Sequence, residues 1–246
     1  MGADRERLKV LAERMSAPGA KTAVFTGAGM STESGLSDFR SKDGLWGKLD
    51  PMELATATAM RHNYGEFHKF YSNRFVQMEQ ALPNDGHRIL ADWESRGLVS
   101  CIITQNIDGL HAAAGSSVIY ELHGSVGRVR CMDCGNPATR ADFIDLKPCK
   151  SCGGRLRPGV VLFEEGLPSD ALDSSWSASE EAAVFIVLGS SLQVSPANQM
   201  PAIAKRAGAF LAICNRDVTP LDGMADYRTN EGIGEFLKEL DSVIGD

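Results

Sequence analysis

Val24-Phe25-Thr26-Gly27-Ala28-Gly29-Met30-Ser31-Thr32-Glu33-Ser34-Gly35-Leu36-Ser37-Asp38-Phe39-Arg40 is the stretch from which the fold reads. Its first three residues, β-branched and aromatic, suit the buried end of a strand. Gly27-Ala28-Gly29 then breaks the run, and Ser31, Thr32, Glu33 and Ser34 suit the first turn of a helix. A strand passing through glycines into a helix start is how a parallel α/β fold holds phosphate. The backbone approaches the anion closely, and unpaired N–H groups with the positive helix end attract it. A tight turn with no ligand is the alternative, because the third glycine of a dinucleotide-binding turn would fall where Thr32 stands. Just beyond, Asp38, Phe39 and Arg40 pack a carboxylate, a ring and a guanidinium into three residues, the composition of a lid.

Outward from this stretch, strands and helices alternate. Leu8, Leu11, Ala12 and Met15 recur at helical spacing over residues 4–17, and residues 21–26 are the first strand. A polar loop over 41–46 precedes a helical region, 51–82, with Phe67, Phe70, Tyr71, Phe75 and Met78 as its apolar stripe. Asp85 is expected to cap a further helix bearing Ile89, Leu90 and Trp93 and stopped by Gly97. Residues 99–104 are nearly all apolar, as a parallel strand covered on both faces is, and 118–122 are a third strand, ending at His123. The polar segment 131–152 reads as an inserted module short of strands. Residues 160–163 form a small strand beyond it. Two buried strands, 182–188 and 209–213, are joined by a helix across 196–207, and a helix over 233–244 closes the chain. A serine-rich patch at 174–179 falls in a helix or loop.

This alternation predicts an α/β fold, a Rossmann-type doubly wound parallel sheet with a smaller unit inserted. Ligands in such sheets bind beyond the carboxyl ends of the strands. Gly27, Gln105, His123, Gly189 and Asn215 each lie just past such an end, so five candidate residues converge on one rim.

At 246 residues the chain is long enough to bury a full core, and its 43% hydrophobic and 23% charged content exclude disordered and fibrous classes. A net charge of −7 argues against non-specific binding to nucleic acid or to anionic membranes. No apolar stretch reaches the roughly 18 residues of a membrane span, and residues 1–9 are polar rather than a signal peptide, so a cytoplasmic setting is expected. In such a reducing compartment the six cysteines favour metal over disulfide. Four of them run Cys131-x2-Cys134, fourteen residues, Cys149-x2-Cys152. Four thiolates around one ion is the structural zinc arrangement, with no position left for substrate water. Unmetallated or redox thiols are the alternative. Cys101 and Cys214 sit in apolar strands as small core residues.

Set beside the opening stretch, three further runs carry a family likeness: Thr104-Gln105-Asn106-Ile107-Asp108-Gly109-Leu110-His111, His123-Gly124-Ser125 and Gly189-Ser190-Ser191-Leu192. From about Thr22 to Asn215 the chain resembles the sirtuins, the NAD-dependent protein-lysine deacylases. The resemblance implies that Gly27, Ala28, Gly29 and Thr32 form the phosphate loop, with Asp38, Phe39 and Arg40 as the lid. Phe39 would shield the ribose carbon from water, and Arg40 would pair with the diphosphate or fix the lid. Asp108 and the backbone of Ile107 would hold the nicotinamide carboxamide, Gln105 would meet the ribose, and Asn106 would help place the attacked carbon. Gly189, Ser190, Ser191 and Asn215 would serve the far phosphate and adenosine ribose, and Ile233 the adenine.

By the same resemblance His123, otherwise a polar strand end, is the general base that draws a proton from the ribose hydroxyls. The acyl oxygen attacks C1′ of the nicotinamide ribose, nicotinamide leaves, and the products are free lysine and O-acyl-ADP-ribose. His111 would orient its loop; His62, His68 and His87 lie in helical stretches without assigned roles. Val161 and Phe163 belong to the strand against which a peptide lies in this family, and Val194 is grouped with them as substrate-binding. The expected partners are therefore acylated-lysine proteins or peptides, with NAD as co-substrate and one structural zinc ion. The implied division is a NAD-binding domain (1–40, 84–124 and 157–246) and a small domain made of a helical insert (41–83) and a zinc module (125–156).

Two departures from the family pattern stand out. Phe163-Glu164-Glu165 replaces the usual Phe-Gly-Glu, and Leu36-Ser37 replaces Ile-Pro. Tyr71 and Arg74, three apart on one helix, share a face. That face fits an ordinary amphipathic helix with a solvated arginine, but Phe70-Tyr71-x-x-Arg74 also resembles the pattern of sirtuins that accept acidic acyl groups such as succinyl and malonyl, where a guanidinium and a phenol would bind the carboxylate. The alternatives to a deacylase are a mono-ADP-ribosyltransferase on the same scaffold and a non-enzymatic NAD-sensing module. A dehydrogenase would need an acidic residue about 20 positions beyond the glycines at a strand end, and residues 49–53 do not read as one.

Overall fold

The computed structural model describes residues 2–40, 44–47 and 50–245. Half of the loop expected over 41–46, residues 41–43, falls outside them, as does Leu49; Leu45–Gly47 form a 3₁₀ turn.

Helix α1 (Gly2–Ser16) leads into β1 (Thr22–Thr26). Helices α2 (Pro51–Leu54), α3 (Ala57–His62), α4 (Tyr64–Gln80) and α5 (Asp85–Ser95) follow. Next come β2 (Cys101–Thr104), α6 (Leu110–Ala114), β3 (Ile119–Glu121), β4 (Gly124–Cys131), β5 (Pro137–Ala138), α7 (Arg140–Ile144) and β6 (Leu156–Val160). The chain ends through α8 (Ser169–Glu181), β7 (Val184–Leu188), α9 (Met200–Arg206), β8 (Phe210–Cys214), β9 (Tyr227–Thr229) and α10 (Ile233–Gly245).

Six strands form one parallel sheet in the order β3-β2-β1-β7-β8-β9, so the direction of winding reverses between β1 and β7. The four inner strands, β2, β1, β7 and β8, are buried along their whole length, which is why they read as nearly continuous apolar runs, whereas the edge strands β3 and β9 carry Glu121 and Arg228. Alternate residues of β1 divide between the faces. Val24 packs with Leu8, Leu11, Trp93, Phe236 and Leu240 of α1, α5 and α10. Ala23 and Phe25 pack with Met200, Ala204 and their neighbours on the α9 side. A third cluster joins the α4 stripe (Phe67, Tyr71, Phe75, Met78) to Val126, Val129, Phe143, Leu156 and Val160, so the helical insert and the cysteine module share one core. The antiparallel sheet β5-β4-β6 lies in that module.

Several expectations need correction. The turn after β1 is a 3₁₀ helix, Ala28–Ser34, closed by Gly35 at φ 83°, rather than the start of an α-helix. The region 51–82 is three helices, because Thr56 caps α3 through Ala59 N–H and Asn63 stands between α3 and α4. The cap of α5 is Asn84, whose side chain accepts from His87 N–H, and Asp85 is the first helical residue. The expected strand 160–163 ends at Val160; Phe163 makes only an isolated parallel bridge to Thr56. The segment 131–152, expected to be short of strands, holds the two-residue β5 and the last residue of β4, and it also carries helix α7, which was not expected. The serine-rich patch lies within α8, where Ser175 and Ser179 are buried by bonding to carbonyls four residues back. Among the described residues no helix is long and apolar enough to cross a membrane.

Candidate active site

At the winding reversal the loops after β1 and β7 touch backbone to backbone. Gly27 N–H donates to Leu188 O and Gly29 N–H to Gly189 O at 2.9 Å. A methyl group on Gly27 would lie 2.7 Å from Gly189 O, and one on Gly189, at φ +62°, 2.5 Å from Met30 N. These glycines are therefore required by the contact between the two loops, whatever ligand approaches them.

Around this point lies a cavity of about 340 Å³. Gly27, Ala28, Gly29 and Thr32 line it from the β1 loop, and Asp38, Phe39 and Arg40 from the segment beyond. Gln105, Asn106 and Ile107 reach it past β2, His123 past β3, and Gly189, Ser190, Ser191 and Val194 past β7. Asn215 past β8 and Ile233 at the start of α10 close one end. Tyr71 and Arg74 of α4, with Val161 and Phe163 beyond β6, line it too. Asp108 does not line the cavity. Its Oδ2 accepts from the Ser31 hydroxyl at 2.8 Å and its Oδ1 from Leu110 N–H at 2.9 Å.

The polar groups on the floor are locked. Asn106 donates through Nδ2 to Gly27 O at 3.1 Å and to Ser31 Oγ at 3.2 Å, and its own N–H donates to Thr104 Oγ1. Gln105 Nε2 donates to Ser190 Oγ at 2.9 Å, tying the β2 and β7 loops together. Asn215 Nδ2 donates to Asp217 O. His111 lies behind the floor, buried, with Nε2 3.0 Å from Thr26 Oγ1.

His123 is held at Nδ1, 3.0 Å from Gln105 O. A carbonyl can only accept, so Nδ1 carries the proton and the neutral ring keeps its lone pair on Nε2. Burial, with a smaller contribution from the Arg40 cation, holds the imidazole below the usual histidine pKa; the bond to Gln105 O opposes them. The ring is thus a neutral acceptor near neutral pH, the state a general base needs.

Arg74 is 5% exposed, and no carboxylate pairs with it among the described residues. It donates to Gln77 Oε1 at 3.2 Å and lies over the Phe39 ring at 5.6 Å. A buried guanidinium without an anion is costly, and this one borders a cavity an anion can enter. Burial pushes the Tyr71 phenol pKa up, so that hydroxyl stays protonated and can donate.

The motif that contains Glu164 and Glu165, both of which line the cavity, does not disclose what they bond to. Glu165 is gripped by the buried Arg157 at 2.5 and 2.8 Å and accepts from Leu162 N–H. Glu164 bonds to Thr58. The signal for the first pair is Arg157 itself: a charge between Leu156 and Pro158 in a half-apolar strand needs a buried partner.

In the module, Cys131, Cys134, Cys149 and Cys152 bring their Sγ atoms within 4.8 Å of one another. Two of the separations are 3.5 and 3.6 Å. Tetrahedral zinc with sulfur at about 2.3 Å needs sulfurs about 3.8 Å apart, so the donor set fits one ion. A methyl on Gly154 would fall 3.0 Å from Cys131 Sγ and against the Asp133 carboxylate, so any larger residue there would press on a ligand sulfur.

Residues 27–196 match the profile of the Sir2 family. A Geobacillus kaustophilus protein named NAD-dependent protein deacetylase 1 is 51% identical over 227 residues, 92% of this chain and 94% of that protein. A solved Sir2 homologue in complex with ADP-ribose superimposes with a TM-score of 0.92 at 40% identity, covering 98% of this chain and 96% of that one. A Sir2 complex with a p53 peptide and NAD+ gives 0.88 at 36% identity, covering 97% and 98%. With the family profile spanning more than half the chain, and relatives this similar over nearly its whole length, this protein belongs to the Sir2 family.

Proposed function

We propose that this cleft deacylates protein lysines with His123 as general base. The protein is an NAD-dependent protein deacylase that acts on acylated-lysine proteins or peptides. NAD, consumed as co-substrate, supplies the ADP-ribosyl acceptor for the acyl group. The observation that carries the base assignment is the pinned tautomer: Nδ1–H donates to Gln105 O, and the lone pair on Nε2 belongs to a ring that lines the cavity. Asn106, fixed through Nδ2, orients the reacting centre, and the loops of Gly27–Gly29 and Gly189–Ser191 carry the dinucleotide. Asp108 stands behind the cavity wall and supports Asn106 through Ser31, whose hydroxyl it accepts from. The four cysteines hold a structural zinc ion, and thiols kept as a metal set suit a reducing, cytoplasmic setting. The helical insert (41–83) and the zinc module (125–156) together form the small domain.

Nicotinamide release from NAD, measured with and without an acetyl-lysine peptide, tests the assignment. Release should depend on peptide, and His123→Ala should lower deacylated product by about 10² or more. Undiminished product in that variant would remove His123 from the role.

The acyl class is the second part of the proposal. Arg74 and Tyr71 together offer a cation and a phenol to an acyl carboxylate, so succinyl and malonyl lysines are accepted as well as acetyl. Arg74→Met should cut desuccinylation roughly tenfold or more while deacetylation stays within about threefold, the scale of a lost charge-assisted hydrogen bond. Equal loss on both substrates, or no desuccinylation in the parent enzyme, would reject this specificity.

A further inference from the structure

The segment beyond β6 is strung between two parts of the molecule. On one side Val161 N–H donates to His123 O at 2.9 Å. On the other, Phe163 N–H donates to Ala55 O at 3.0 Å, and its carbonyl accepts from Ala57 N–H at 3.1 Å. Glu164 then takes a backbone conformation at φ 75°, in the left-handed region that favours glycine. Its carboxylate Oε2 accepts from Thr58 N–H at 2.9 Å and from the Thr58 hydroxyl at 2.8 Å. The first three N–H groups of α3 are thereby satisfied. Ala57 bonds to Phe163 O, Thr58 to Glu164, and Ala59 to the capping Thr56 hydroxyl. Two of these three acceptors come from a segment that lines the cavity.

We infer that Glu164 is a positioning residue for the acylated peptide: its carboxylate fastens the helical insert to the segment 161–165 and so fixes the backbone against which the peptide lies. This rests on reading that segment as the peptide-bearing strand. Strained backbone persists where the surroundings over-determine it, and here the surroundings are the two bonds from Thr58. Leu146 and Leu192 also have positive φ, yet neither carries a polar side chain that could make such a tie. Both Glu164 and Thr58 are exposed, so the tie adds little to global stability and acts on local geometry. With the tie broken, the segment stays anchored at Val161 through His123 O and at Phe163 through Ala55 and Ala57, while Glu164 itself and the Thr58 N–H of α3 lose their partners. The base and the NAD loops are untouched, so the effect falls on peptide binding.

Two variants separate the hydrogen bonds from the charge. Glu164→Gly removes the acceptor and suits the backbone angle, whereas Glu164→Gln keeps an oxygen for Thr58 without the charge. With peptide varied at saturating NAD, Glu164→Gly should raise peptide KM about fivefold, as the loss of one or two exposed hydrogen bonds predicts. Its kcat and the KM for NAD should stay within about twofold, and Glu164→Gln should restore a parent-like peptide KM. Amide exchange at Thr58 in the free enzyme, read without substrate, should quicken in Glu164→Gly and not in Glu164→Gln. An unchanged peptide KM in Glu164→Gly, a Glu164→Gln variant as impaired as Glu164→Gly, or unchanged Thr58 exchange would each overturn the inference. A parent enzyme inactive on acyl peptides would sink the functional reading, and Thr58 exchange would still judge the tie.

Discussion

Among the described residues His123 is the one histidine that lines the cavity, and its Nδ1 is spoken for by a backbone carbonyl. Its environment has a kinetic consequence. Burial and the Arg40 charge both disfavour the imidazolium, so the ring stays unprotonated below the usual histidine range. The acid limb of kcat/KM, which reports the free enzyme, should therefore fall below the ordinary histidine value of about 6.5. Arg40→Met deletes the repelling cation. The limb should then move upward, only part of the way back because burial is the larger cause, and the measurement is a pH profile of both proteins at low substrate. An acid limb that stays put, or moves down, would show that Arg40 does not act on the base.

At the scale of elements, what the sequence disclosed and what it hid follow from the kind of interaction. The inner strands were legible because burial on both faces leaves them almost purely apolar, and the rim residues followed because each sits just past such a strand. Helix α4 was legible through its stripe. The breaks between α2, α3 and α4 were not, because they depend on Thr56 as a cap and on a bridge to Phe163, 107 residues on. Strand β9 was missed because its three residues, Tyr227–Thr229, carry no repeat long enough to show a period. In the cysteine module the spacing of ligands was plain, while β5 and α7 were not, since ligation rather than an apolar face organises so short a segment. That origin of order makes a prediction. The zinc set closes onto Val129, Cys131 and Leu156, which share a core with Phe67, Phe75 and Phe143. Removing the metal with a chelator should therefore abolish amide protection in β4 and β6 and expose the α4 stripe, while the parallel sheet keeps its protection. Zinc should restore both protection and turnover. Full protection of β4 after proven metal loss would make the ion dispensable to the module.

For the molecule as a whole, the site sits where two half-sheets meet, and the same junction stores an acid sensitivity. Behind the floor, the rings of His87 and His111 lie 4.8 Å apart, both buried. His87 Nε2 and His111 Nδ1 have no hydrogen-bond partner among the described residues. Burial is the main cause pushing His87 down to about 4 and His111 to about 3, with each charge also disfavouring its neighbour in the case of His111. Above about pH 7 both rings are neutral whether the chain is folded or not, so neither affects stability there. Between about 6.5 and 4 the unfolded chain takes up protons that the folded protein refuses, so stability falls as the pH falls. With two such rings the slope approaches about 2.7 kcal/mol per pH unit, twice the contribution of a single proton. Carboxylates held low by partners, such as Glu165 beside Arg157, add in the same direction only nearer pH 4. Urea unfolding at pH 7.5, 6.5, 5.5 and 5.0 should give a loss of under about 1 kcal/mol across the first step and a steepening loss below it. His111→Gln should remove about half of that loss, and a parent curve flat from 7.5 to 5.0 would mean the two rings are not buried together as described.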